Sequence, residues 1–254
     1  MGARMVLVAR DRGRAEATLT RLHARGPGVA HTVHYADLSR LSEMKRVGAA
    51  IATAEPRIDV LINNAGCLYA TRQVTEDGLE KTFATNHVAY FVLTHLLRDR
   101  LVAAAPSRVV NTASDAHARE RIDFSDLQMA RDYGFRAAYG RSKLGNILFT
   151  RELARRLAGT GVIANCLHPG FIATGLGQRD NRFLGPLVRF AMWLKAEPGE
   201  KGAETIIYLA SAPDVATTGQ YFVACRPVPP SREAQNDDDA GRLWAETARL
   251  AGIG

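Results

Sequence analysis

A tyrosine and a lysine stand four residues apart, at Tyr139 and Lys143, directly ahead of an apolar run that begins at Leu144. Residues at this spacing lie on one face of an α-helix, so the pattern predicts a helix that carries both side chains together. A free phenol titrates near ~10, and a neighbouring ammonium favours the phenolate and lowers the phenol pKa. The pair is therefore a candidate proton donor to a developing alkoxide. A solvated helix face is the alternative for these two residues alone.

The composition is that of an ordinary globular protein. The chain has 254 residues, 46% of them apolar and 23% charged, which favours one large α/β domain over a disordered or fibrous chain. Its net charge of +7 comes from scattered arginines rather than a basic block, so we expect no nucleic-acid partner. The cysteines Cys67, Cys166 and Cys225 lack metal-ligand spacing, so we expect no metal site and small core residues in a reducing compartment.

The sequence contains no signal peptide and no apolar run that would span a bilayer, and we therefore expect a cytoplasmic protein. Residues 171–198 lose the regular periodicity, apart from the apolar stretch between Phe183 and Leu194. We interpret this segment as a lid on the substrate side, which could also make peripheral contact with a membrane. Core packing or a subunit contact is the alternative for the same apolar residues.

Short β-rich apolar runs alternate along the chain with amphipathic stretches of about ten or more residues. This alternation predicts the α/β class, with a Rossmann-like doubly wound parallel sheet in a single domain over residues 1–254. The predicted strands are 5–9, 29–35, 58–62, 108–111, 162–167 and 220–224, and the predicted helices are 12–25, 41–54, 76–104, 137–157, 202–210 and 241–251.

Polar and small residues follow the predicted strands at their carboxyl ends, where open parallel sheets bind ligands. They are Arg10, Asp37, Asn63 to Gly66, Ser114 and His168 to Gly170. Each of these features alone also fits a turn, a helix cap or a loop start. Their joint occurrence at successive strand ends indicates a ligand site at this edge of the sheet.

The same motifs resemble the short-chain dehydrogenase/reductase superfamily over essentially the whole chain. Asn63-Asn64-Ala65-Gly66, Ser114, Tyr139-x-x-x-Lys143 and Pro169-Gly170 stand in the family's order. Within the superfamily the chain is similar to the retinol dehydrogenase-like reductases. That similarity is carried by Ala9-Arg10-Asp11, Thr85-Asn86-His87, the run Asn111 to His117, Ser142-Lys143-Leu144-Gly145-Asn146 and Gly219-Gln220-Tyr221-Phe222.

The resemblance implies an NADP-dependent oxidoreductase in which Tyr139 protonates a carbonyl oxygen while hydride arrives from the nicotinamide. Lys143 would lower the Tyr139 pKa and hold the ribose hydroxyls, and Ser114 would bind the substrate oxygen. Asn86 would bind a water that links Lys143 to solvent. The implied cofactor contacts are Asp37 and Leu38 around the adenine, Asn63, Ala65 and Gly66 along the adenosine, and Pro169, Gly170, Ile172 and Thr174 against the nicotinamide.

The residue after the first predicted strand favours one cofactor over the other. An acidic residue there would bind the 2′-hydroxyl of NAD, whereas Arg10 is a cation suited to the 2′-phosphate of NADP. We therefore expect NADPH rather than NAD, and reduction of a small lipophilic aldehyde or ketone to its alcohol. A solvated charge at the strand end is the alternative for Arg10. The resemblance also implies a homo-oligomer with contacts through the helices that start near Glu76 and Ala137.

One part of the family pattern is missing from the sequence. The family's first strand and its Thr-Gly-x-x-x-Gly-x-Gly turn have no counterpart, and Gly2-Ala3 matches the segment just before the family's second strand. We therefore expect a gap in the sheet, with unpaired backbone groups beside it. Met1 would be an internal methionine of a longer reading frame, or the chain would be truncated with weak cofactor binding. A non-catalytic binding or scaffold protein is accordingly the alternative function.

Overall fold

The computed structural model describes residues 2–170 and 199–253. The strands are β1 (Val6–Ala9), β2 (Thr32–Tyr35), β3 (Val60–Asn63), β4 (Ser107–Thr112), β5 (Val162–His168), β6 (Tyr221–Val223) and β7 (Arg226–Pro227). The helices are α1 (Arg12–Arg25), α2 (Leu41–Ala54), α3 (Lys81–Phe83), α4 (Ala89–Ala103), α5 (Phe135–Arg156), α6 (Gly199–Ser211) and α7 (Asp237–Ala251). A π-helical turn, Ala84–Val88, joins α3 to α4. The predicted α/β class and single Rossmann-like domain are confirmed.

The strands form two sheets within the described part of the chain. β1 pairs with β2 in parallel, and a second sheet has the order β3-β4-β5-β6-β7, parallel except for the antiparallel pair β6–β7. β1 and β3 are not hydrogen-bonded to each other, so the predicted gap in the sheet is confirmed.

The strand β3 shows what this gap does to its neighbours. The carbonyl of Asp59 accepts from Arg108 N on the β4 side, so the alternate residues Val60 and Ile62 turn their backbone groups away from β4. The side chain of Ile62 is 37% exposed, unlike the apolar residues of the neighbouring strand β4. β3 therefore has the character of an edge strand.

A shared helical layer covers both sheets. Val6 of β1 and Leu61 of β3 pack against the same cluster, which includes Val47 of α2 and Leu97 of α4. α2 approaches α4 closely at Gly48, where a Cβ atom would come within 2.6 Å of the Leu96 side chain. A larger residue at this position would push the Leu96 side chain aside, so Gly48 favours the close approach of the two helices, and their packing supports β1 and β3 alike.

The helix α5 occupies the centre of the molecule. Its apolar residues Leu144, Ile147 and Leu148 are at most 1% exposed. On the α7 side, the ring of Phe149 stacks on Trp244 with centroids 5.6 Å apart. Because neighbouring elements cover most of its surface, α5 has little freedom to shift, and side chains on it are held accurately.

Several predicted boundaries are wrong, among them the starts of the helices predicted from 202 and 241, which begin at Gly199 and Asp237. The helix predicted from Glu76 begins at Lys81, because Glu80 is its N-cap and accepts from Thr82 N and Phe83 N at 2.9 and 2.7 Å. The strand predicted from Val29 begins at Thr32. The predicted lid, 171–198, lies outside the described residues.

The glycine of helix α7 gives a test of this local geometry. Gly241 lies inside α7, and a Cβ atom there would have no neighbour within 4 Å. Gly241→Ala should therefore raise the free energy of unfolding by about 0.5–1 kcal/mol, because alanine loses less backbone entropy in a helix. Urea unfolding monitored by circular dichroism measures the change.

The matched control lies at the end of the same helix. Gly252 is the C-cap in the left-handed region, with φ of 58° and ψ of 48°. Gly252→Ala should lower the free energy of unfolding by about 1 kcal/mol, since a Cβ atom is strained there. Equal effects of the two substitutions would show that the helix does not end where the structure places its end.

Candidate active site

Tyr139 and Lys143 lie on one face of α5, as predicted. The ammonium of Lys143 lies 5.6 Å from the centroid of the Tyr139 ring and 5.8 Å from that of Tyr90 on α4. Its Nζ donates to the carbonyl of Thr112, at the end of β4, over 3.0 Å. Lys143 is 2% exposed. A solvated helix face, the alternative for this pair, is therefore excluded.

The electrostatics of the pair differ from the prediction. Burial lowers the pKa of Lys143 to about 8, although Cys67 opposes the shift. Burial also raises the pKa of Tyr139 above its usual value, while a hydrogen bond with Ser114 lowers it by less. The expected net fall of the Tyr139 pKa toward the working range is thus wrong in this structure, because desolvation of the phenolate dominates. Tyr139 is accordingly protonated at neutral pH, the form that a proton donor needs.

Ser114 lies beside Tyr139, directly after β4, and is 7% exposed. Its Oγ accepts from Ala116 N at 3.2 Å and so caps a short 3-10 helix, Asp115–Arg119. The hydroxyl donates to Asp115 Oδ1 at 3.0 Å. Its position is therefore fixed by the backbone, while its proton can be redirected to another acceptor, as a substrate-binding hydroxyl requires.

Asn86 lies on the π-helical turn and is fully buried. Its side-chain amide makes two hydrogen bonds with the backbone of Cys67. The amide oxygen accepts from Cys67 N at 2.7 Å, and the amide nitrogen donates to Cys67 O at 3.0 Å. It also donates to Ser142 Oγ at 2.9 Å. Asn86 thus ties the loop after β3 to α5. Its implied part in a water relay to Lys143 stays a prediction.

The three implied adenosine contacts lie at the end of β3 and in the loop after it, and their environments differ. The side chain of Asn63 is buried and donates to Asn111 Oδ1 at 2.8 Å and Thr94 Oγ1 at 3.0 Å. This amide is committed to the interior, so Asn63 can reach a cofactor only through its backbone. Ala65 and Gly66, by contrast, are exposed at the carboxyl edge of the sheet.

Arg10 and Asp37, from the ends of β1 and β2, lie together. Arg10 Nη1 is 3.7 Å from Asp37 Oδ2, and the guanidinium side chain is 50% exposed. Burial raises the pKa of Asp37, but hydrogen bonds from Ser39 and the charges of Arg10 and Lys81 outweigh it and leave this pKa below its usual value. Asp37 is therefore ionised at neutral pH, next to two cations.

The remaining implied cofactor contacts are divided between described and undescribed parts of the chain. Leu38 is partly buried against the core. Pro169 and Gly170 follow β5 and are half-buried. Ile172 and Thr174 lie outside the described residues.

Several residues of the site were missed by sequence reasoning. Burial raises the pKa of Tyr69 to about 12, while the neighbouring Arg10 lowers it by less. Lys81 lies over the Tyr69 ring at 5.0 Å. Tyr90 donates to Ala65 O at 2.9 Å and so fixes the exposed loop. Only Tyr90 had a usable signal, its position one helical turn after Asn86, whereas the tertiary fold brings Lys81 and Tyr69 together.

The described residues show neither a metal cluster nor a membrane-spanning helix. Within residues 2–170 and 199–253, no three His, Cys, Asp or Glu side chains come together as metal ligands would. In the same residues, no helix is both long and apolar enough to cross a bilayer.

Comparison with known proteins identifies the family. A family model described as short chain dehydrogenase matches residues 1–184. Retinol dehydrogenase 13 of Homo sapiens is 41% identical over 264 residues, which cover 99% of this chain and 78% of that one. Retinol dehydrogenase 14 of Mus musculus is 40% identical, over 100% of this chain and 80% of that one. The chain belongs to the short-chain dehydrogenase family and is retinol dehydrogenase-like.

Solved structures agree with this assignment. An uncharacterized protein of Mycobacterium paratuberculosis superimposes with a TM-score of 0.75 at 29% identity, covering 98% of this chain and 94% of that one. The RhlG/NADP active-site complex of Pseudomonas aeruginosa gives a TM-score of 0.66 at 26% identity, covering 87% and 84%. The fold and the relatives together make this protein an oxidoreductase enzyme that uses a nicotinamide cofactor.

The lowered pKa of Lys143 predicts a specific dependence of stability on pH. The folded pKa is about 8, below the unfolded value, so between these two pH values the unfolded chain binds more protons. The free energy of unfolding therefore gains a contribution that rises with pH from about 8 to about 10.4. In Lys143→Met this contribution should vanish.

Urea unfolding of the wild type and of Lys143→Met measures this pH-dependent contribution to the free energy of unfolding. Between about pH 7.5 and about pH 9.5 the wild type should gain on the order of 1–2 kcal/mol relative to the variant. Both proteins contain the tyrosines and cysteines that titrate in the same range, so the difference between the two pH curves excludes their contribution. Parallel pH curves for the two proteins would show that the folded lysine titrates normally.

Proposed function

We propose that this protein is an NADP-dependent carbonyl reductase that interconverts an apolar aldehyde or ketone and its alcohol. The observation that carries the proposal is the grouping of Ser114, Tyr139 and Lys143 beside an exposed loop at the carboxyl edge of the sheet. Tyr139 is protonated and within hydrogen-bond reach of Ser114, and Lys143 lies below its ring. This arrangement supports proton donation to an oxygen placed between the phenol and the serine.

The residues of this chain each have a defined part in the proposed reaction. When bound, the reduced nicotinamide supplies the hydride. Ser114 orients the carbonyl oxygen, and Tyr139 gives its proton to that oxygen as negative charge develops on it. Below a pH of about 8 Lys143 is charged, so it stabilises the phenolate that Tyr139 leaves behind. Asn86 holds the loop after β3 against α5 and so keeps the site closed on that side.

The cationic side chains near the ends of β1 and β2 suit a phosphate ligand. Arg10 is half exposed, and Lys81 lies close enough to lower the pKa of the neighbouring Asp37. Two cations on an accessible surface suit the 2′-phosphate of NADP better than the uncharged hydroxyl of NAD. The Pseudomonas aeruginosa relative, whose structure is a complex with NADP, supports the same choice. Exposed Ala65 and Gly66 would lie along the adenosine.

The substrate class follows from the relatives and from the sequence. Two relatives at about 40% identity carry the name retinol dehydrogenase, which supports a lipophilic alcohol or aldehyde. The apolar stretch within 171–198, proposed as the lid, supports the same class, with Ile172 and Thr174 against the nicotinamide. We further propose a cytoplasmic homo-oligomer with contacts through α4 and α5, and the three free cysteines fit a reducing compartment.

Removal of the Tyr139 hydroxyl tests the proposed acid. Tyr139→Phe should lower kcat for aldehyde reduction by ~100-fold or more, because the proton donor is lost while the ring keeps its packing. NADPH consumption with a series of aliphatic aldehydes and retinaldehyde measures turnover, and quenching of protein fluorescence measures cofactor affinity, which should change by less than about threefold.

A tyrosine at the surface serves as the matched control. Tyr208 lies on α6 and donates to Asp214, away from the site. Tyr208→Phe should leave kcat unchanged. Full activity of Tyr139→Phe would remove Tyr139 as the proton donor.

Arg10 tests the choice of cofactor. Arg10→Ala should raise the KM for NADPH about 10-fold or more and leave the KM for NADH nearly unchanged, because only NADPH carries the extra phosphate. Arg21→Ala, on the following helix, controls for a loss of positive charge. Equal loss with both cofactors would assign Arg10 a structural part only.

A non-catalytic binding protein is the second candidate function. The missing pairing between β1 and β3 favours it, since within the described residues no counterpart of the family's glycine-rich βα unit, which binds the cofactor pyrophosphate, lies between these strands. The aldehyde series should therefore be run on this chain and on a version with such a βα unit ahead of Met1. Cofactor binding without turnover by both proteins would favour the non-catalytic function.

A further inference from the structure

A buried histidine, His87, follows Asn86 on the π-helical turn and takes no part in the chemistry described above. It is 1% exposed. Its ring lies between Phe83, with centroids 5.0 Å apart, and the edge of Phe149 at 6.2 Å. A Cβ atom at Gly145 on α5 would come within 3.0 Å of His87 Nδ1. The ring is therefore held in one place by aromatic neighbours and by a glycine that lets it approach α5.

The two ring nitrogens face different helices. Nε2 is 3.0 Å from Thr247 Oγ1 on α7. Nδ1 and the Asn146 Oδ1 atom of α5 are both buried, and neither has a hydrogen bond of ordinary geometry within the described residues. Burial lowers the pKa of His87 to about 4, while Asn146 raises it by less, as an acceptor of a ring N–H does. The imidazole is thus neutral, with Nδ1–H toward Asn146 and Nε2 toward the threonine hydroxyl.

The other end of the Asn146 amide reaches the catalytic lysine. Asn146 Nδ2 donates to the Thr112 carbonyl at 3.1 Å, and Lys143 Nζ donates to the same oxygen at 3.0 Å. The bond to Thr112 therefore places the NH2 group of Asn146 beside the ammonium, and it leaves the buried amide oxygen without a hydrogen bond of ordinary geometry on the side of the amide where His87 Nδ1 is also unpartnered. The positive end of the amide dipole then opposes the charge on Lys143, whereas a rotated amide would place an oxygen there.

We propose that His87 is a positioning residue that acts on Lys143 through Asn146 and the Thr112 carbonyl. The contacts run from Thr247 on α7 through His87 and Asn146 to the end of β4. They connect the C-terminal helix to the charge state of the lysine. The catalytic value of this link rests on the proposed function, but the link itself is a property of the folded chain.

The other groups that face Lys143 come from three elements. They are Tyr139 on α5, Tyr90 on α4 and Cys67 in the loop after β3. The groups that face His87 are Phe83 from α3, Phe149 and Asn146 from α5 and Thr247 from α7. Substitutions at His87 and Thr247 leave the first set unchanged, so a shift in the titration of Lys143 reports the amide.

The experiment is a titration of Lys143 by NMR, with 13C at the lysine Cε. The sequence has five lysines, and Lys143→Arg assigns the signal by removing it. His87→Leu should raise the pKa of Lys143 from about 8 by about half a unit or more, roughly threefold in the ionisation ratio, because the amide is free to rotate. Thr247→Val removes the hydroxyl at His87 Nε2, so either ring nitrogen of His87 can then carry the proton. This variant should raise the Lys143 pKa by less. His87→Asn, which restores a donor near the Nδ1 position, should return it toward the wild-type value.

Thermal unfolding of each variant separates positioning from folding. A structural role alone would lower the melting temperature in all three variants without an ordered change in the Lys143 titration, and that result would overturn the proposal. An unchanged Lys143 pKa in folded His87→Leu would also overturn it. If His87→Leu does not fold, the contrast between Thr247→Val and His87→Asn decides. The titration requires no turnover, so an inactive enzyme would leave its outcome readable.

Discussion

The burial of the Lys143 ammonium is the constraint on which the rest of the site depends. A buried cation is costly unless it is paired or well solvated by the protein. Within the described residues, Lys143 has the Thr112 carbonyl and the faces of two tyrosine rings as its partners rather than a carboxylate. These contacts compensate only part of the lost hydration, which is why its pKa falls to about 8. The charge of the lysine is therefore poised near neutral pH and responds to small changes around it.

The fold supplies this environment through α5 and the elements packed around it. α5 presents Tyr139 and Lys143 toward the carboxyl edge of the sheet while its apolar residues fix it in the core. The π-helical turn presents two successive side chains to the same region. Asn86 ties the loop after β3 to α5, and His87 faces Asn146 and Thr247. The π-helical turn thus orients Asn86 toward the loop after β3 and His87 toward the residues that neighbour the buried lysine.

The sequence was sufficient for the class of fold and for placing Tyr139 and Lys143 on one helix face near Ser114, because periodicity and strand-end positions are local properties. It was not sufficient for the protonation states. The expected lowering of the Tyr139 pKa considered the neighbouring ammonium but not the burial of the phenol, and the extent of burial is set by tertiary packing. The same reason explains Asn63, whose position at a strand end was predicted but whose side chain turns inward to Asn111. The start of α3 depends on Glu80 as its cap, which the periodicity of the flanking residues did not show.

The central claim is that the site transfers a hydride from NADPH to a carbonyl carbon. Transfer of deuterium from NADPH labelled at nicotinamide C4 measures this most directly. The labelled cofactor would be incubated with the protein and an aliphatic aldehyde or retinaldehyde, and the alcohol analysed by mass spectrometry. The account predicts that one of the two labels, pro-R or pro-S, places one deuterium on the carbinol carbon and that the other label does not. The hydroxyl proton should come from solvent by way of Tyr139. Alcohol formed without deuterium from either label would contradict hydride transfer at this site.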